Sequence, residues 1–226
     1  MTAYFIAGID TDIGKTVATG LLARYLYGQG RQVITAKLAQ TGCEGISEDI
    51  IQHRRIMGTD LFFEDTSGQT CKYVFRIPAS PHLAAAAENA TIDPKVISNS
   101  ITELEDNFDI VLVEGVGGIM VPLTNDYLSI DLAAQCCWPL IIVSSPRLGS
   151  INHTLLTMQC ADARGCRIAG VIYNHIGSEN DLITTDSRRI IELHLKKYNR
   201  NAVIIDLPVV NDLDNPPEIN FAGLVN

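Results

Sequence analysis

Short runs rich in β-branched and aliphatic residues recur along this chain, at 3–7, 33–37 (Val-Ile-Thr-Ala-Lys), 110–113 (Ile-Val-Leu-Val), 140–144, 168–173 and 202–206. They are near-continuously apolar rather than alternating, as strands are when both faces of a parallel sheet are covered. Helical patterns separate them at 15–28, closed by Gly28, then at about 47–57, 93–106, 128–137, 151–163 and 181–198. Strand and helix alternating from end to end predict an α/β fold, a single-domain doubly wound, mostly parallel sheet. No internal repeat, low-complexity tract or linker interrupts the pattern, and the Pro/Asn-rich stretch Asn211 to Pro217 reads as a surface loop. At 226 residues, 46% of them apolar and 19% charged, the chain suits one core, so residues 1–226 are expected to form one domain.

The first apolar run leads into Gly8-Ile-Asp-Thr-Asp-Ile-Gly14-Lys15-Thr16, just before a helical pattern. Strand, glycine-bounded loop and helix are the setting of a P-loop NTPase-like phosphate-binding loop. There, backbone N–H groups and the positive end of the helix cradle phosphates, the lysine reaches the outer phosphates, and the threonine hydroxyl can hold Mg²⁺. Gly8 and Gly14 enclose five residues, one more than the plain pattern. In open parallel sheets ligands bind outside the carboxyl ends of the strands. The residues that follow the apolar runs, Gly8–Thr16, Lys37–Gly42, Glu114–Gly118, Pro146–Asn152, Asn174-His175 and Leu207-Pro208, are therefore expected to converge on one sheet edge.

Several of these carry chemistry. Glu114 ends the most apolar run and precedes Gly-Val-Gly-Gly. A carboxylate there, beside an open backbone, is placed to bind Mg²⁺ rather than merely to cap a turn. Lys37 closes the second run; beside a phosphate loop a second ammonium would stabilise charge growing on a transferring γ-phosphate, whereas elsewhere such a lysine would simply snorkel to solvent. Asp49, with Glu48 beside it, begins the next helix. Asp49 is the favoured metal ligand of the two, against the plainer role of an acid at a helix start. The Asn174 amide offers a donor and an acceptor that suit either the edge of adenine or a turn, and its chemistry does not choose between them.

The net charge of −9 leaves no basic excess to neutralise nucleic-acid or lipid phosphates, so neither a nucleic acid nor a membrane is expected as partner. No segment reaches the roughly 18 apolar residues of a membrane span, and the N-terminus lacks the basic region of a signal peptide; a cytoplasmic location is expected. The six cysteines form no Cys-x-x-Cys pair and read as reduced structural thiols, with Cys136 and Cys137 inside a helical stretch. Ser144, Ser145, His153 and His175 lack the spacing of a nucleophile system, His82 reads as a helix start, and His53 and His194 read as helix-surface residues.

Taken in order, Gly-x-Asp-Thr-x-x-Gly-Lys-Thr at 8–16, Lys37 with Thr41-Gly42, Ser80-Pro81-His82, Val-Glu-Gly-x-Gly-Gly at 113–118, Leu-Gly-x-Ile-Asn-His at 148–153, and Asn174 resemble the dethiobiotin synthetases of biotin biosynthesis over nearly the whole chain. The long phosphate loop is typical of that family. The resemblance implies an ATP-dependent cyclo-ligase that carboxylates 7,8-diaminononanoate with carbon dioxide. A carbamate would attack the γ-phosphate of Mg-ATP, and ring closure of the mixed anhydride would give dethiobiotin, ADP and phosphate. It implies Lys15 and Lys37 as catalytic cations and Thr16, Asp49 and Glu114 as Mg²⁺ ligands. ATP would be held by Asp12, Ile13, Gly14, Lys15, Thr16, Val17, Asp49, Glu114, Gly115, Val116 and Gly117, with Asn174, His175, Leu207 and Pro208 around adenine. Thr41 would meet the carbamate or a nitrogen. Ser150, Ile151 and Asn152 of a neighbouring subunit would take the substrate carboxylate, in a homodimer with shared sites. Asp12 stands where the family usually has glutamate, Leu38-Ala39 replaces Pro-Val and is expected to loosen the loop holding Thr41, and Arg147 replaces a common lysine. The alternative is a nucleotide-switch ATPase of the partition or division-site type, but those carry a lysine early in the loop where this chain has Asp10.

Overall fold

The computed structural model describes residues 2–177 and 180–225. Strands β2 (Val33–Lys37), β6 (Leu140–Ser144) and β7 (Ile168–Asn174) are buried at every position, as is β1 (Thr2–Gly8) after its first residue. Successive strand side chains point to opposite faces, so burial without alternation means that helices cover both sides. With β5 (Ile110–Gly118) and β8 (Val203–Leu207) these strands form a six-stranded sheet ordered β2-β5-β1-β6-β7-β8, with every pairing parallel. Tyr4, Ile6, Ile34, Leu112, Val113, Ile142 and Ile172 fill the centre, each side chain contributing about 1.5–3 kcal/mol by leaving water.

The covering helices are α1 (Lys15–Gly28), α2 (Glu48–Met57), α3 (Phe63–Thr66), α4 (Pro81–Ala87), α5 (Pro94–Asn107), α6 (Ser129–Gln135), α7 (Ser150–Ala163) and α8 (Asp181–Tyr198). Their starts follow from capping chemistry: Ser47, Asp93 and Asn180 accept hydrogen bonds from first-turn N–H groups of α2, α5 and α8. Pro81 and Pro94 occupy first-turn positions where no N–H is needed. Among the described residues no helix is long and apolar enough to cross a membrane.

Each expected strand and helix is present, with bounds that move by a few residues. Three differences matter. A small parallel pair, β3 (Gln40–Thr41) with β4 (Val74–Phe75), and the short helices α3 and α4 occupy a region without a long periodic run. Strand β5 continues to Gly118 through an irregularity: Ile6 faces Glu114 but Gly8 faces Gly118, so Gly115-Val116-Gly117 swells outward beside the phosphate loop. Cys137 lies beyond α6 in left-handed backbone (φ 55) rather than inside a helix. The chain runs from β1 to one side of the sheet, returns through β5, and crosses β1 to continue through β6 on the other side. That reversal is where a doubly wound sheet opens a crevice at its carboxyl edge.

Candidate active site

The β1–α1 loop, the end of β2, the end of β5 and the first turn of α2 bring their side chains together at this edge. Gly14 begins α1 with φ 86, and a Cβ there would collide with the Asn174 amide nitrogen. Only glycine accepts both the left-handed backbone and that proximity. Lys15 curls back, its Nζ donating to Asp10 O at 2.8 Å, and is almost fully buried. Burial, reinforced by the nearby Lys37 charge, pushes its pKa down to about 8, although Glu114, Asp49 and Asp12 pull the other way.

Lys37 is the hub. Its Nζ donates to Glu114 Oε1 at 2.8 Å and to Gly115 O at 3.1 Å, and lies 2.5 Å from Asp49 Oδ2. Burial opposes its charge, but the two carboxylates more than offset that and hold its pKa above the ordinary lysine range. Glu114 is 1% exposed; burial opposes its charge too, yet Lys37 and His53 hold its carboxyl well below the usual carboxylate range. Charges this deep are tolerated only because each is paired, and removing one partner strands the other. Thr16 Oγ1 sits 3.1 Å from both Asp49 Oδ1 and Glu114 Oε1, with one hydrogen to share between them. Asp49 faces this cluster while Glu48 is exposed.

Three oxygens of hydroxyl and carboxylate type thus converge, the donor set a Mg²⁺ ion takes. Among the described residues no group of three or more His, Cys, Asp or Glu forms a metal cage. Mg²⁺ at nucleotide sites needs none, because phosphate oxygens and water complete its octahedron. The cluster opens into a cleft of about 500 Å³ whose lining includes Asp12, Gly14, Val17, Thr41, Val116 and Gly117 as well as Lys15, Thr16, Lys37, Asp49 and Glu114.

Other expected residues stand further off. Ile13 is buried under the loop. Asn174 is 5% exposed; its Nδ2 donates to Ile13 O at 3.0 Å and its Oδ1 accepts from Ile176 N at 3.3 Å, tying the end of β7 to the phosphate loop. His175 N donates to Leu207 O at 2.9 Å, and its ring nitrogen meets Asp206 at 3.1 Å. Ser150, Ile151 and Asn152 open α7 but do not line the cleft of their own chain, and Ser150 turns inward to Ser145 at 3.2 Å. The Leu38-Ala39 segment is not loosened: both residues are fully buried, and the Leu38 N–H, which proline would lack, donates to Glu114 O at 3.0 Å. Arg147 pairs with Asp10 of the phosphate loop.

Two residues at this site were not anticipated. Gln40 Oε1 accepts from the Ser47 hydroxyl at 2.7 Å and from Asp49 N at 3.4 Å, holding the first turn of α2 against the cleft. His53, expected on a helix surface, is completely buried and meets Glu114 Oε2 at 2.8 Å. The signal was available: positions 50, 53, 54 and 57 form the i, i+3, i+4, i+7 stripe of α2, and all are buried, so a histidine on that stripe faces the core. His194 is half-buried.

Residues 2–217 match a family model described as an AAA domain. An ATP-dependent dethiobiotin synthetase of Chlorobaculum tepidum is 49% identical, covering 89% of this chain and 85% of its own length. Another, from Pasteurella multocida, is 45% identical over 90% of this chain and 97% of its own. Among solved structures, the MinC:MinD cell division complex of Aquifex aeolicus superposes with a TM-score of 0.58 at 17% identity, covering 92% of this chain and 81% of that one. A ParA family ATPase of Chlorobium tepidum gives 0.57 at 16% identity, covering 93% and 86%. At such identities the structural likeness establishes the fold alone.

Proposed function

The chain belongs to the ATP-dependent dethiobiotin synthetase family, and we propose that residues 1–226 act as one nucleotide-binding domain that forms dethiobiotin from 7,8-diaminononanoate, carbon dioxide and ATP in the cytoplasm. One amine of the diamine takes up carbon dioxide as a carbamate. The carbamate oxygen attacks the γ-phosphorus, ADP leaves, and the second amine then attacks the carbonyl of the mixed anhydride, closing the ring and expelling phosphate.

The observation that best supports this reading is the Lys15, Thr16, Lys37, Asp49 and Glu114 cluster at the sheet's reversal point. Nothing in the chemistry calls for a protein nucleophile. Positioning and fixed charge suffice, worth several orders of magnitude when preorganised. Lys15 and Lys37 would neutralise phosphoryl and carbamate oxygens, and Thr41 would hold the carbamate or a nitrogen. Thr16, Asp49 and Glu114 would hold Mg²⁺, which would supply positive charge to offset that of the phosphates. Asp12, Ile13, Gly14, Val17 and Gly115-Val116-Gly117 would wrap the phosphates. Asn174, which has a second amide hydrogen to offer, would meet adenine beside His175, Leu207 and Pro208.

The far carboxylate of the substrate needs a partner, and the cluster's cations are already committed. First-turn N–H groups of a helix suit an anion, although at the start of α7 the Ser150 N–H already donates to Arg147 O at 3.0 Å. Ser150, Ile151 and Asn152 of a second copy would form the carboxylate site in a homodimer with shared sites, with the Ile151 and Asn152 N–H groups as its donors. Leu148, 94% exposed, precedes that helix start, and Met120 and Leu156, both about half exposed, line a groove beside it, an apolar surface of the kind a subunit contact covers. Measuring phosphate release from ATP with and without diamine and bicarbonate tests the reaction. Strong dependence on both is expected; ATP turnover indifferent to the diamine would refute the assignment.

A further inference from the structure

A chain of buried hydrogen bonds runs from Glu114 away from the cleft, and none of the roles above uses it. His53 Nε2 lies 2.8 Å from Glu114 Oε2, and His53 Nδ1 lies 3.0 Å from Thr35 Oγ1. Arg54 Nη1 donates to the same Thr35 hydroxyl at 2.9 Å, while Arg54 Nε and Nη2 grip Asp65 at 2.8 and 2.9 Å. Thr70 donates to Asp65 at 2.9 Å. His53, Arg54, Asp65 and Thr35 are each 2% exposed or less.

The hydrogen directions at the two ends of this chain follow from its chemistry. Arg54 can only donate, so Thr35 accepts from it and its own hydrogen is free to turn to His53 Nδ1. At the other end Glu114 accepts from Lys37 at Oε1, and the Nε2 hydrogen of His53 is directed at the remaining oxygen, Oε2. The two Glu114 oxygens therefore have separate duties. Oε2 is occupied by His53; Oε1 is the atom that faces Lys37 and Thr16. A carboxylate held at one oxygen cannot rotate its other oxygen out of the cluster when Lys37 turns to a substrate. Helical spacing adds to this, since Asp49 and His53 are four residues apart on α2, and one helix thus aims a carboxylate at the cluster and fixes the other carboxylate from behind.

We propose that His53 is a positioning residue: through Nε2 it fixes the Glu114 carboxylate so that Oε1 is presented to the divalent ion of the nucleotide complex, with Thr35 and Arg54 orienting the ring. This rests on the role assigned to Glu114 above. Partners behind a metal ligand commonly matter by about 10–100-fold in metal affinity. Two near-isosteric replacements separate the ring's two contacts, because the Gln amide nitrogen reaches close to the Nε2 position whereas the Asn nitrogen reaches only the Nδ1 position.

The test measures Mn²⁺ binding to the purified full chain in the presence of ADP by electron paramagnetic resonance, alongside the half-saturating Mg²⁺ for turnover and the melting temperature. His53→Asn and His53→Leu are expected to weaken the ion by about 10–100-fold at little change in nucleotide affinity, and His53→Gln to stay within about threefold of the parent. If Gln and Asn weaken the ion equally, in step with their melting temperatures, or if no variant changes it, the proposal is wrong. Failure of all three variants to fold would make the role purely structural and likewise overturn it. Glu114→Gln is the control: if it leaves ion binding unchanged, the metal role of Glu114 fails, whereas a loss there with unaffected His53 variants removes His53 alone.

Discussion

Lys37 joins two carboxylates that would otherwise repel each other in a buried setting, so its replacement has two separable effects. Lys37→Gln is expected to lower turnover on the order of 10²–10³-fold, because a preorganised cation is lost from the transition state. Its melting temperature should fall in metal-free buffer and partly recover with Mg²⁺ and ADP, as another cation takes over Asp49 and Glu114. Steady-state kinetics and thermal melts with and without the ion check both, and near-parental ring closure would remove Lys37 from catalysis. The cysteines give a second residue-scale expectation. Burial pushes the Cys71 thiol up to about 12, whereas Cys137 is exposed. At pH 8 a pKa of about 12 leaves about one thiol in 10⁴ ionised, so brief iodoacetamide treatment should label Cys137 and spare Cys71 by mass spectrometry. Equal labelling in the folded protein would contradict the burial of Cys71.

At the scale of elements, the strand–loop–helix at the N-terminus carries the clearest constraint. Gly14→Ala must hold left-handed backbone, costing about 1–2 kcal/mol, and must also displace the Asn174 amide from Ile13 O. It is expected to lower the melting temperature and to weaken nucleotide binding more than its stability loss alone accounts for, as calorimetry with ADP can show. Unchanged ADP affinity would mean that the loop tolerates a shifted Asn174. This loop was legible in the sequence because its glycines, lysine and threonine are adjacent. Lys37, Asp49 and Glu114 were legible because each follows a strand or opens a helix at the edge where ligands bind. His53 and Gln40 were not. A histidine reads alike on either face of a helix until the apolar stripe of α2 is traced, and Gln40 matters only through the fold-dependent proximity of Ser47. The β3–β4 pair was invisible for a different reason, since a two-residue strand has no periodicity to detect.

For the whole molecule, continuous apolar runs made the parallel sheet readable, but not its strand order. Nothing local in residues 110–113 marks β5 as the strand that inserts between β2 and β1. Assembly is likewise outside local pattern, and it has its own expectation. Lys37→Gln is expected to inactivate the cleft of one chain, and Gly149→Pro to disrupt the α7 start, where φ is 92 and proline requires a negative value. If sites are shared, mixing the two inactive proteins under conditions that exchange subunits should restore activity through one intact site per heterodimer. A mixture that stays inactive despite demonstrated exchange would refute sharing. The Lys37 pairing also has a consequence for what opens the site. Nucleotide arriving without its ion must draw Lys37 away from Glu114 and Asp49, setting bare carboxylates beside phosphates. An ion arriving alone must displace the ammonium and leave it without a counter-charge. With the roles proposed above, only the complex of the two would replace both halves of the pairing at once, which favours their entering together. Such coupling is reciprocal, so the factor by which nucleotide tightens the ion equals the factor by which the ion tightens nucleotide. The Lys37 pairing with Asp49 and Glu114 would thus act as a filter, admitting the ion–nucleotide complex ahead of either component alone.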